Sequence, residues 1–129
     1  MLRLFIETSN LDFQVALHDG SSFLYRSDQA EAGQPRDLSN LLEEGLNQSG
    51  KTVSDISEII VDIGPGGLTS TRSGIAFANG LAFALNINIV AANGLELMRL
   101  QARSIILSKS SYKWTHLRSC SFVVVLLLA

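Results

Sequence analysis

Asp62-Ile63-Gly64-Pro65-Gly66-Gly67-Leu68-Thr69-Ser70-Thr71-Arg72-Ser73-Gly74 is the stretch on which the reading of this chain turns. The apolar run Ile59-Ile60-Val61 leads into it, and Ile75-Ala76-Phe77-Ala78-Asn79-Gly80-Leu81-Ala82 follows it. The order is strand, glycine-rich turn, long helix. Gly64, Gly66 and Gly67 admit positive φ and close backbone approach, Pro65 fixes one φ angle, and Thr69 or Ser70 is placed to cap the helix. Such a loop aims backbone N–H groups at whatever lies above it, and donors and helix dipole together favour an anion there. The same composition also serves as a tight connector with no ligand. No Gly-Lys-Ser/Thr follows, so the loop is not a Walker A sequence. Its glycine spacing is not that of a dinucleotide fingerprint, and no acidic residue closes a second strand at the expected distance.

Working outward, Leu2 to Thr8 reads as an apolar strand, Phe13 to His18 as a second and Ser22 to Arg26 as a third, with Asp19-Gly20 turning the hairpin between the last two. Three short sequential strands predict an antiparallel meander. From Asp37 the residues Leu38, Leu41, Leu42 and Leu46 fall at helical spacing, with Glu43 and Glu44 on the other side and Gly50 as the stop. Glu58 to Ile63 predicts a strand, Thr69 to Leu85 a helix, Ile87 to Ala91 a strand and Leu95 to Arg103 a third helix. Strands that alternate with helices lie parallel through crossovers.

At 129 residues the chain is about one domain, long enough to bury a core without staples. Its single cysteine, Cys120, excludes an internal disulfide. With no basic segment leading into an apolar one at the N-terminus, a cytoplasmic location is expected. The run Phe122-Val123-Val124-Val125-Leu126-Leu127-Leu128 is far shorter than the roughly 20 residues that span a bilayer, and reads as a buried strand or a sticky end. Residues 1 to 96 hold all twelve acidic side chains against five basic ones, whereas 97 to 129 hold five basic (Arg99, Arg103, Lys109, Lys113, Arg118) and none acidic. Such a tail is suited to RNA or is a solvated surface.

The glycine loop with its flanking strand and helix resembles the signature of the bacterial TsaB (YeaZ) family of tRNA threonylcarbamoyladenosine biosynthesis proteins, also labelled glycoprotease-like. Leu4-Phe5-Ile6-Glu7-Thr8-Ser9 is similar to the family's opening strand and turn, Phe13 to Asp19 to its second strand, and Asp55-Ile56-Ser57-Glu58-Ile59-Ile60-Val61 to the strand entering the loop. The likeness runs in register to about Gln101. This chain departs from the usual family loop at Gly67, Leu68, Ser70, Thr71 and Ser73.

The resemblance implies an α/β fold: a ribonuclease-H-like lobe of the actin, sugar kinase and Hsp70 superfamily, with a mixed five-stranded sheet flanked by helices. It implies an N-terminal lobe over residues 1–103 and an atypical tail over 104–129, as a truncated or frameshifted second lobe would leave. The superfamily organises a hydrated metal and phosphate with an Asp in the first strand turn, where this chain has Glu7, then Thr8 and Ser9. A turn that caps its own backbone is the alternative.

In the long helix, Gly74, Ala78 and Ala82 recur every four positions beside Leu81 and Leu85, a stripe that lets another helix approach or packs on the chain's own sheet. With Ile75, Phe77 and Phe83 the helix is apolar nearly all round, so more than one side needs covering. The resemblance implies that the helices at 37–49 and 69–85 form a bundle with those of a TsaD-like catalytic subunit or of a second copy. The expected interface is therefore Leu38, Leu41, Leu42, Gly74, Ala78, Leu81, Ala82 and Leu85. A TsaE-like ATPase would dock near it and tRNA would be met indirectly.

The implied function is a non-catalytic scaffold in N6-threonylcarbamoyladenosine modification. Alternatives are a phosphotransferase-like protein in which Glu7 to Ser9 and the loop hold ATP or ADP with Mg²⁺, and a non-functional truncated homodimer. Only His18 and His116 exist, with no His-x-x-x-His cluster, so no metalloprotease site is expected. His18 is expected at a surface turn. Arg72, a cation near a helix N-terminus, is expected to pair with Asp62 or with an anion.

Overall fold

The computed structural model describes residues 1–9, 13–27, 37–97 and 99–100. Five strands, β1 (Leu2–Glu7), β2 (Gln14–His18), β3 (Phe23–Arg26), β4 (Ile56–Asp62) and β5 (Asn88–Ala92), form one sheet in the order β3-β2-β1-β4-β5. β1, β2 and β3 pair antiparallel, as the meander predicts, while β4 pairs parallel to β1 and β5 parallel to β4. This is the mixed five-stranded α/β architecture expected of the sequence.

Local chemistry sets the element ends. In the β2–β3 turn Gly20 takes φ +100°, and the Asp19 carboxylate accepts the amides of Ser21 and Ser22 at 2.8 Å each. Helix α1 (Leu38–Ser49) starts where the Asp37 side chain accepts the Ser39 N–H at 2.9 Å. It stops at Gly50, whose φ of +64° lets its N–H turn back to the carbonyl of Asn47. Helix α2 (Leu68–Leu85) begins differently from expectation. Its N-cap is Gly67, with no side-chain cap, and the Ser70 hydroxyl donates to the Gly67 carbonyl. Neither Thr69 nor Ser70 caps the helix, because the loop enters one residue earlier than the pattern suggested.

Alternation along the strands sends Leu2, Leu4 and Ile6 of β1, Val15 and Leu17 of β2 and Ile59 and Val61 of β4 to one face, against α1 and α2. Leu4, Leu17 and Ile59 are wholly buried. Each such side chain contributes about 1.5–3 kcal/mol by leaving water. From α1 come Leu38, Leu42 and Leu46, with Leu41 half-buried beside them.

From α2 come Thr71, Gly74, Ala78 and Ala82, so the small-residue stripe faces the chain's own sheet. Gly74, Ala78 and Ala82, expected from the sequence at a partner interface, are thus covered by the chain's own sheet. A Cβ on Gly74 would lie 2.1 Å from Thr8 Oγ1, so the helix and the turn just after β1 approach too closely there for a side chain. Leu81 and Leu85 sit half-buried on the flank of this contact.

The opposite face of the sheet holds a smaller cluster of Phe5 and Ala16 with Phe23 and Ile60 packed against them. His18 belongs to it. It is 8% exposed, edge-on to Phe5 and Phe23, and its Nδ1 accepts the Gly20 N–H at 3.0 Å. It is thus a buried ring in an aromatic cluster, not a surface turn residue, because β2 turns it inward. Beyond β5, residues 94–97 and 99–100 are helical. The rest of the expected third helix, the boundary near 103, and His116 and Cys120 lie outside the described residues. Among the described residues no helix is long and apolar enough to cross a membrane.

Candidate functional site

The residues singled out around the glycine loop converge at the C-terminal ends of the parallel strands β1 and β4. Parallel pairing sets Ile6 beside Val61, so the next residues, Glu7 and Asp62, reach the same end of the sheet. Both are 5% exposed. Ser9 Oγ lies 2.5 Å from Glu7 Oε1 and 2.9 Å from Asp62 Oδ2, and the Ser9 N–H donates to Glu7 Oε1 at 2.7 Å. Asp62 Oδ1 accepts the Gly64 N–H at 2.7 Å.

A hydroxyl carries one proton, so Ser9 donates to only one of its two carboxyl neighbours and a second proton must sit on a carboxyl. Glu7 is the group that holds it. Burial pushes its carboxyl up to about 7, and the hydrogen bond and negative charge of Asp62 push the same way, against the pull of Ser9. Sequence reasoning named Glu7 and Ser9 but missed their bond to Asp62. The available signal was that both carboxyls end adjacent parallel strands and precede a Ser- or Gly-bearing turn.

The loop folds down onto this pair. Gly64 has φ +91° and is joined to Pro65 by a cis peptide bond. A Cβ on Gly66 would lie 2.1 Å from the Ser9 carbonyl oxygen, and the Gly67 N–H donates to that same oxygen at 3.1 Å. The loop amides of Gly64 and Gly67 are therefore engaged by the protein itself. Thr8 and Thr71 are buried under the loop, each with a hydroxyl that has no hydrogen-bond partner among the described residues. Thr8 meets Gly74, away from Glu7. Arg72 and Thr69 are exposed, and Arg72 makes no ion pair with Asp62, whose oxygens are taken by Ser9 and Gly64.

A resident Mg²⁺ does not fit this arrangement. Such an ion needs open, ionised carboxylate oxygens plus waters. Here at least three of the four carboxyl oxygens are already bonded within the protein. No group of three or more His, Cys, Asp or Glu side chains capable of holding a metal occurs among the described residues. The geometry is that of a hydrogen-bonded clasp that fixes the loop and the start of α2 against the sheet.

The outer side of α2 is the other feature without an internal role. Phe83 is 90% exposed, and a Cβ on Gly80 would meet nothing within 4 Å. Ser73, Ala76 and Gly80 succeed one another at helical spacing on this side, a second small-residue stripe opposite the buried one.

Comparison with known proteins gives consistent likenesses. Residues 30–109 match the family described as "TsaD: tRNA N6-adenosine threonylcarbamoyltransferase". A "tRNA threonylcarbamoyladenosine biosynthesis protein TsaB" of Bacillus subtilis is 38% identical over 58 residues, which are 45% of this chain and 25% of that protein. A "tRNA N6-adenosine threonylcarbamoyltransferase" of Anaplasma phagocytophilum is 36% identical over 66 residues, 51% of this chain and 19% of that one. Among solved structures, YeaZ from Pseudomonas aeruginosa superposes with a TM-score of 0.66 at 27% identity, covering 78% of this chain and 47% of its own. The chain thus spans a quarter or less of these two curated relatives and about half of the solved one.

Proposed function

Because this chain belongs to the family described as TsaD, tRNA N6-adenosine threonylcarbamoyltransferase, and has the lobe of YeaZ, we propose that it is a scaffold subunit in threonylcarbamoyladenosine modification of tRNA. The observation that carries this reading is the outer face of α2. Its inner face already covers the sheet, yet its outer face presents Ser73, Ala76 and Gly80 beside a Phe83 that is 90% exposed. Small residues at helical spacing let a second helix approach closely, and a neighbouring aromatic ring supplies an anchor. The partner is a TsaD-like catalytic subunit, with a TsaE-like ATPase beside it and tRNA held by the assembly.

Leu38, Leu41 and Leu42 of α1, with Leu81 and Leu85 of α2, belong to the core between helices and sheet or pack against it, and the contacting residues are those of the outer stripe. The glycine loop and the clasp of Glu7, Ser9 and Asp62 fix the angle at which α2 leaves the sheet. Carboxyl oxygens bonded inward leave the clasp a positioning role rather than a catalytic one, which weighs against the phosphotransferase reading.

The test is formation of threonylcarbamoyladenosine on tRNA by a purified TsaD-like subunit with its other components, with and without this chain. The chain alone is expected to form none, and its addition to raise the yield. An unchanged yield on addition would overturn the proposal.

A further inference from the structure

Strand β5 ends the sheet, and its pairing with β4 fixes where its backbone groups point. The Ala92 carbonyl accepts the Ile63 N–H at 2.9 Å, so Ala92 turns its N–H and C=O toward β4. Successive residues of a strand turn these groups to opposite sides. Val90 therefore also faces β4, whereas Ile89 and Ala91 face the open edge. On that side neither has a backbone partner among the described residues.

The two edges of the sheet are built differently. β3 carries Arg26 and meets β2 with a register shift between Leu17 and His18, and charge and irregularity both discourage a further strand. β5 is Asn88-Ile89-Val90-Ala91-Ala92, without charge, proline or register shift. It is open on both faces, with Ile89 37% and Val90 43% exposed. Such an edge is a template for another strand.

Charge and register say which strand fits. The ionic groups nearby are already paired within the chain, Arg3 with Glu58 at 3.1 Å and Arg99 with Glu96, so the occupant has to be uncharged. The β5 strand of a second copy meets this condition, and it is self-complementary. Turned antiparallel about Val90, it sets Ile89 opposite Ala91 of the other copy and Ala91 opposite Ile89, large against small, on the face that holds Ile59 and Val61. These are the residues whose N–H and C=O point outward, so both pairs exchange their hydrogen bonds. Val90 then falls opposite Val90 on the other face, beside a groove lined by Phe5, Ile60 and Leu97, as a pair without mutual hydrogen bonds and with Cα atoms about 4.5 Å apart. A two-fold arrangement closes on itself, so assembly stops at two copies.

We propose that the chain forms a dimer by antiparallel pairing of β5 with β5, one sheet running through both copies, in a contact that uses no residue of the outer α2 stripe. The experiment is mild oxidation of the full chain carrying Cys120→Ser together with Val90→Cys, Ile89→Cys or Ala91→Cys. Val90→Cys is expected to give the disulfide-linked dimer about ten-fold faster than either of the others, because only at position 90 do identical residues oppose each other at a spacing that a disulfide spans. Equal rates in all three would overturn the proposal. Sedimentation equilibrium gives a second readout that needs no new cysteine. The mass of the Cys120→Ser chain is expected to rise from one copy toward two with concentration, whereas Ala91→Pro, which removes an outward N–H and leaves the ladder to β4 intact, stays at one. A mass fixed at one copy would overturn the proposal, and so would a dimer that survives Ala91→Pro, which would assign the contact to another surface.

Discussion

The Ser9 hydroxyl lies 2.9 Å from Asp62 Oδ2, across 53 positions of sequence, and this contact ties the turn after β1 to the start of the glycine loop. With the Gly64 N–H on Asp62 and the Gly67 N–H on the Ser9 carbonyl, it makes one unit of two turns. The start of α2 is set by that unit, since the helix begins at Leu68, directly after Gly67.

Ser9→Ala removes the bridge and leaves two buried carboxyls facing each other. A destabilisation of about 1–3 kcal/mol is expected, the cost of leaving buried polar groups without partners. The change is read as a lower urea midpoint with an unchanged slope. An unaltered midpoint would contradict the clasp.

Glu7 gives a pH dependence with a defined sign. Its carboxyl ordinarily titrates near 4.5 and in the folded chain is raised to about 7. The folded state therefore binds the proton more tightly than the unfolded state does. Its contribution is complete below pH 4.5 and is lost as pH rises to about 7. The loss is on the order of 3 kcal/mol at most, since each tenfold difference in proton affinity corresponds to about 1.4 kcal/mol. Glu7→Gln, which stays neutral and keeps hydrogen-bonding atoms, is expected to flatten the curve over that interval. Equal slopes for the two proteins in denaturation at stepped pH would contradict the assignment of the proton to Glu7.

Two glycines of α2 should respond oppositely to the same change. At Gly74 an added methyl meets Thr8 Oγ1 at 2.1 Å, so Gly74→Ala is expected to destabilise by about 1–3 kcal/mol through overpacking. At Gly80 nothing lies within 4 Å, so Gly80→Ala is expected to stabilise the isolated chain by about 0.5–1 kcal/mol through helix propensity. Thermal unfolding of both variants checks the pair. The same geometry places Ala78, wholly buried, beyond use as an interface probe, because Ala78→Arg would break the core rather than only a subunit contact.

Hydrophobic alternation and glycine punctuation made the strands and both long helices legible, because those signals are local. The Asp37 cap and Gly50 stop of α1 were equally plain, since each is decided by a few adjacent residues. What stayed hidden depended on three-dimensional placement. Gly74, Ala78 and Ala82 announce a close contact on one helix face, but the pattern does not say which neighbour that face meets. The second stripe, Ser73, Ala76 and Gly80, was masked by the first, and only burial separates them. The bond between Ser9 and Asp62 needed the β1–β4 pairing, a contact between distant parts of the chain. His18 read as a turn residue by its position before Asp19-Gly20, whereas the strand's alternation turns it toward Phe5 and Phe23.

The outer face of α2 carries the functional proposal, and the mass of the complex tests it most directly. This chain and its Gly80→Arg variant would each be mixed with the TsaD-like subunit of the same organism and passed through size exclusion with light scattering. The prediction is a stoichiometric complex for the unaltered chain and separate species for Gly80→Arg, whose circular dichroism remains that of the parent because its side chain points into open space. A complex that survives Gly80→Arg, or no complex with the unaltered chain, would contradict the account.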